Sequence, residues 1–204
     1  MVESVAQANA RENAPYQQGV LLLVKAAQNQ NGLRHADYGR YHKYCCRRML
    51  RIRKTLGFTQ SQKQNKKHIY VEKPVTADLV ATNAKYLQIL VFKCEAAWAY
   101  AMQMKQHASA LSGGKAAAGS GDLTMRTNPN RLRVHYLKRF QKASQAADKL
   151  LKLSTGAIDD ISLIEIEGYK AQMEAIYNME KHNFEEALNN LLKAKLIFEN
   201  IQSY

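Results

Sequence analysis

The sequence predicts an all-α protein, built as antiparallel helical hairpins with tetratricopeptide-like packing. Three observations carry this. Apolar residues recur at helical spacing, and no stretch has a convincing strand period. Only 3 Pro and 10 Gly interrupt 204 residues, so long segments are free to stay helical. Toward the C-terminus, Ala175, Ala187, Leu191 and Ala194 match the small and large positions of a tetratricopeptide unit. The usual closing Pro of such a unit is missing, and Glu199 stands there. Any two antiparallel helices with small residues at their crossing produce the same pattern.

The elements follow in order. Residues 1–18 are polar and rich in Ala, Asn and Gln, which predicts a disordered tail. Residues 19–204 form one domain. Val20, Leu21, Leu22, Leu23 and Val24 begin a first helix, which Asn31 and Gly32 break near residue 30. A second helix spans 33–56 and stops at Gly57. Residues 58–73, rich in Gln and Lys, read as a polar loop. Pro74 and Thr76 open a third helix, with Thr76 as N-cap and Asp78 in the first turn. It reaches about residue 107. It carries little charge, and Leu79, Tyr86, Leu90, Phe92, Trp98 and Met102 mark it as central and largely buried. Residues 108–130 read as a flexible loop, unusually long for a compact domain, with a Gly/Ala-rich run at 112–121. Helices at 131–153, 161–179 and 184–201 complete the chain, separated by Thr155-Gly156 and His182-Asn183.

Charge is concentrated. Residues 34–73 hold 12 Lys or Arg against 2 acids, a net +10, while the whole chain carries +13. Residues 131–153 add +6, and residues 154–204 are net −5. A basic working surface opposite a mildly acidic end faces a polyanion. On a wheel of about 100° per residue, Arg40, Lys43, Arg47, Arg51 and Lys54 of the second helix share an arc of roughly 80°, with Arg48 about 60° beyond it. Tyr38, Tyr41, His42, Cys45, Met49, Ile52 and Leu56 lie opposite. One side docks and the other presents guanidinium forks suited to phosphate. A merely solvated face would intersperse acids at i,i+4, and none occurs between Asp37 and Glu72. A membrane-surface or calmodulin-type helix would need more Trp, Phe and Leu on its apolar side. Tyr44 projects toward the basic side as a candidate base-stacking ring, whereas Tyr38 and Tyr41 belong to the core. The fourth helix repeats the design, with Arg131, His135, Lys138, Lys142 and Lys149 on one arc. Opposite them stand Tyr136, Phe140, Ala143, Ala147, Leu150 and Leu151. Lys63, Lys66, Lys67 and His68 add a basic loop. Two basic helix faces and a loop suit a folded RNA better than a linear duplex.

Other classes find little support. There is no phosphate-binding Gly loop, nucleophile elbow or paired-carboxylate site, so no enzyme and no cofactor are expected. The six His are scattered without metal spacing. Cys45, Cys46 and Cys94 make an odd set without framework spacing, which reads as three reduced thiols in an intracellular protein. No apolar run approaches the ~20 residues of a membrane span, and no basic n-region with an apolar h-region is present.

Gly32, Leu33, Arg34, His35, Ala36, Asp37 and Tyr38, then Arg40-Tyr41, Tyr44-Cys45, Arg47-Arg48 and Arg51-Ile52-Arg53-Lys54, closely resemble the family of the sixty-eight-kilodalton subunit of the eukaryotic signal recognition particle. The block Ala96-Ala97-Trp98-Ala99-Tyr100-Ala101-Met102-Gln103-Met104-Lys105 and the basic helix from Arg131 resemble it too. The resemblance covers about residues 20–203 and implies the family's RNA-binding domain. It implies a tetratricopeptide-like domain bound to the particle's RNA in its S domain, near the three-way junction. There the arginine-rich helix enters a groove and remodels the RNA during co-translational targeting to the endoplasmic reticulum. The implied inserting helix is Arg40 to Lys54, where Arg47, Arg48, Arg51, Arg53 and Lys54, with Arg34 before it, match the family pattern, and Lys66, Lys67 and the helix from Arg131 resemble supporting contacts. With Lys43 and Tyr44 from the wheel and Arg133, Lys138 and Lys142 on the fourth helix, these are the expected RNA contacts. The implied setting is the cytoplasm, with the nucleolus during assembly and only indirect contact with the endoplasmic reticulum membrane. The family's C-terminal region, which recruits the seventy-two-kilodalton partner, is absent here, and the chain is expected to be monomeric. The run at 112–121 is longer than the family pattern and reads as an insertion. A helical adaptor that binds acidic protein segments through the same faces is the competing reading.

Overall fold

The computed structural model describes residues 19–64, 67–112 and 128–202. The expected tail at 1–18, Lys66 and most of the Gly/Ala-rich run lie outside them. The described elements are α1 (Val20–Gln30), α2 (Tyr38–Thr55), β1 (Ser61–Gln64), β2 (Lys67–Tyr70), α3 (Ala77–Thr82), α4 (Lys85–Ser112), α5 (Pro129–Ser154), α6 (Asp160–Glu180) and α7 (Phe184–Gln202). The architecture is all-α, with one small hairpin appended.

Four boundaries differ from the sequence expectation, each for a local physical reason. The second helix begins at Tyr38, not at residue 33. Gly32 (φ +109°) and Ala36 (φ +53°) are left-handed, and a single 3₁₀ turn at Leu33–His35 sits between them. Asp37 then caps α2, its Oδ1 accepting the Arg40 N–H at 2.8 Å. The polar loop at 58–73 contains an antiparallel hairpin that pairs Ser61 with Tyr70 and Gln64 with Lys67. All of β2 is exposed. A strand with no buried face leaves no period-2 signature to read.

The third helix is two. Asn83 breaks it in an extended conformation, and its Oδ1 accepts the Lys85 N–H at 2.9 Å to start α4. Thr76 stands at the N-cap of α3, but its side chain makes no capping bond. The loop expected at 108–130 is shorter at both ends. α4 runs on to Ser112, and α5 starts at Pro129 behind Asn128, whose side chain accepts the Asn130 N–H. Pro at the first turn loses no helical bond.

Other expectations hold. Gly57 (φ +63°) ends α2, with the Phe58 N–H returning to the Arg53 carbonyl at 2.8 Å. His182 (φ +66°) makes the turn between α6 and α7. Trp98 and Tyr38, both half-buried, meet edge-on, and Tyr41, Phe92, Phe140 and Leu150 are fully buried.

The helices pack in succession, α2 on α4, α4 on α5, α5 on α6 and α6 on α7, while α1 lies against α4 and α6. Neighbours run antiparallel, since His42 and Tyr44 of α2 meet Tyr100 and Phe92 of α4 in reverse order. Small residues set the close crossings. Ala143 and Ala147 are buried in α5, as are Ala175 in α6 and Ala187 and Ala194 in α7. Leu191, expected to share that buried pattern, is exposed on α7. At the centre, the fully buried Glu95 of α4 accepts from Tyr41 (2.7 Å, α2), Gln28 (3.0 Å, α1) and Tyr169 (2.6 Å, α6). One carboxylate therefore ties four helices together. Among the described residues, no helix is long and apolar enough to cross a membrane.

Candidate nucleic-acid interface

α2 is amphipathic in place as well as in sequence. Tyr41, Cys45 and Ile52 are buried beneath it. His42 is pinned by a 2.9 Å hydrogen bond between its Nδ1 and the Ala96 carbonyl. A carbonyl only accepts, so Nδ1 carries the hydrogen. The helix is thereby fixed in rotation, and Arg40, Lys43, Arg47, Arg51 and Lys54 all lie exposed on its far side. Arg48 is half-buried, with its guanidinium 6.0 Å from the Phe92 ring centre.

Two expected contacts sit differently. Arg53 is 7% exposed, its guanidinium lies 5.2 Å from the Phe58 ring centre, and its Nε and Nη1 have no hydrogen-bond partner. Burial lowers its pKa from the ordinary guanidinium value, against the opposing fields of Tyr70 and Glu72. On the wheel it falls on the docking side of α2, and the tertiary fold covers it. Tyr44 is half-buried, edge-on to Phe92 at 6.2 Å and parallel to Tyr41 at 6.3 Å. Its ring packs between aromatic neighbours and keeps part of its surface exposed.

The supporting residues are exposed. Arg34 lies in the turn before α2, Lys67 on β2, and Arg131, Arg133, Lys138 and Lys142 on α5. Lys66 falls outside the described residues. α2 and α5 both pack on α4.

The distribution of ion pairs separates this surface from the rest. Among the described residues, the pairs are Lys105–Glu180, Asp148 with Lys152 and Lys170, Lys170–Glu174, Lys193–Glu167 and Lys195–Glu199. Hydrogen bonds from Lys152 and Lys170 hold the Asp148 carboxyl below the usual carboxylate range. None of these pairs involves a cation of α2, and on α5 only Lys152 takes part. Unpaired guanidinium groups in a row repel one another and are relieved by an external polyanion. Phosphate is the anion whose geometry an arginine fork matches. Among the described residues, no group of His, Cys, Asp and Glu is arranged to hold a metal ion. Burial pushes the thiols of Cys45, Cys46 and Cys94 above their ordinary pKa, which leaves them as packing groups.

Comparison with known proteins finds relatives of this chain. A family model described as RNA-binding signal recognition particle 68 matches residues 33–204. The signal recognition particle subunit SRP68 of Drosophila melanogaster is 32% identical over 185 residues, that of Dictyostelium discoideum 30% over 186, and that of Caenorhabditis elegans 31% over 188. Each match covers 89% of this chain and 27% of the relative, so the chain spans about a quarter of their length. The solved structure of the SRP68-RBD from Chaetomium thermophilum superposes with a TM-score of 0.71 at 22% identity. It covers 90% of this chain and 78% of its own, which shows a shared fold.

Proposed function

This chain belongs to the RNA-binding signal recognition particle 68 family, and on that premise we propose that it binds the particle's RNA through the exposed ridge of α2. The observation that carries the proposal is the row of exposed Arg40, Lys43, Arg47, Arg51 and Lys54, none of which forms an ion pair among the described residues. Arg47 and Arg51, one helical turn apart, grip successive phosphates. Arg34 extends the ridge beyond the start of α2. Lys67 on the hairpin and Arg131, Arg133, Lys138 and Lys142 on α5 clamp flanking backbone.

An ordinary A-form major groove is too narrow to admit a helix. The ridge therefore enters where the RNA is opened, at a bulge or at the three-way junction of the S domain, and holds it in a remodelled shape. The physiological setting we assign is co-translational targeting to the endoplasmic reticulum, with the particle assembled through the nucleolus and active in the cytoplasm. The chain acts as a monomeric, non-catalytic scaffold, and recruitment of the seventy-two-kilodalton partner is not a task of these residues.

The test is the double variant Arg47→Glu, Arg51→Glu against a transcript of the particle's S-domain RNA. The expected result is loss of binding with the helical circular dichroism intact. Undiminished affinity at moderate salt overturns the proposal. Binding of an acidic peptide in place of RNA would establish the adaptor reading instead.

A further inference from the structure

Three helices each bring one side chain to a single point, centred on the ring of Tyr100. His42 comes from α2, Tyr100 from α4 and Arg139 from α5. The His42 and Tyr100 rings lie 5.0 Å apart, tilted by 30°. The Arg139 guanidinium carbon lies 5.0 Å from the Tyr100 ring centre. Arg139 is exposed, Tyr100 and His42 are half-buried, and no ion pair among the described residues involves Arg139.

We infer that this cluster is a further RNA-contacting site, apart from the ridge of α2. The inference rests on the RNA reading above and adds residues to it. The chemistry follows from the arrangement. A guanidinium held over an aromatic ring keeps its planar fork at little entropic cost, since the ring restricts its rotamers. Its edge donates to phosphate oxygens, and its outer face offers a flat surface to an unstacked base. The His42 ring is held by the Ala96 carbonyl and forms a fixed wall on the α2 side. Arg139 stands on the flank of α5, about 80° around the helix from Arg131. It thus turns toward α4, whereas Arg131, Lys138 and Lys142 point away. Arg139 is the exposed cation at this point, and a polyanion that reaches it meets a guanidinium already backed by a ring.

The test measures binding of the S-domain transcript as a function of salt for Arg139→Ala, Arg139→Lys and Tyr100→Leu, alongside Arg47→Glu, Arg51→Glu. Arg139→Ala is expected to weaken binding about tenfold and to make the salt slope shallower by about one contact. Arg139→Lys keeps the slope but loses affinity, because the charge remains and the planar fork does not. Tyr100→Leu weakens binding at unchanged slope, with the thermal midpoint recorded to separate a fold defect from a lost platform. If Arg139→Ala binds as the unaltered protein does while the α2 double variant fails, the inference is overturned and the RNA reading stands. If neither changes affinity, the RNA reading falls with it.

Discussion

Glu95 is the residue on which most of the interior depends, and nothing in its sequence surroundings announces it. It is one of two charged positions in the middle of an apolar helix, and helical periodicity assigns it no partner. In the fold it receives three hydrogen bonds from three other helices. Replacing it with Leu strands the hydroxyls of Tyr41 and Tyr169 in an apolar interior and should destabilise the protein by about 2–5 kcal/mol, read by urea denaturation. Its pKa is raised by burial, and the three donors only partly offset that. The folded state therefore holds this proton more tightly than the unfolded chain does. Its contribution to stability is complete below the ordinary carboxylate pKa and is lost as pH rises through the raised folded value. Glu95→Gln, with no proton to lose, should remove that dependence when stability is followed over the same pH window. Arg53 carries the opposite lesson. Its identity and neighbours match the RNA-contacting pattern, but it is buried beside Phe58. Arg53→Met should leave RNA affinity within about twofold in a binding titration, because an occluded cation releases few counterions.

The helices form where periodicity and capping agree, and their boundaries move where one side chain overrules the pattern. Asp37 and Asn83 each supply the oxygen that starts a helix later than apolar spacing alone implies. The hairpin at 61–70 escaped the sequence reading because it buries nothing on β2. The α6–α7 pairing depends on a glycine. A Cβ at Gly168 would stand 2.5 Å from Cε1 of Phe198 and 2.9 Å from Cγ2 of Ile197. Gly168→Ala should therefore push α7 outward and cost about 1–3 kcal/mol in a denaturant titration, despite the better helix propensity of Ala. That glycine is silent in the sequence, since a glycine inside a helix usually signals only a weak position.

Across the molecule, charge divides the structure into a bare basic layer and a paired remainder. Among the described residues, ion pairs concentrate toward α6 and α7, and the cations of α2 have none. If about 5–8 phosphates are neutralised on binding, the logarithm of the affinity should fall with the logarithm of salt at a slope of about −4 to −7. A slope near zero in such a titration would mean that the layer faces something other than a polyanion.

The all-α class, the amphipathic α2 and the basic arc of α5 were all legible in one dimension. Each depends on residues three or four apart, whose relation a helix reproduces wherever it sits. The same holds for the Arg40, Lys43, Arg47, Arg51 and Lys54 ridge, every member of which is exposed. Packing alone settled which of the neighbouring residues remain available. It buried Arg53, set Tyr44 edge-on to Phe92, and brought His42, Tyr100 and Arg139 together from three helices. The contacts of Tyr44 and of the three-helix cluster join positions tens of residues apart, and the distance between such positions is set by how helices cross rather than by any spacing along the chain.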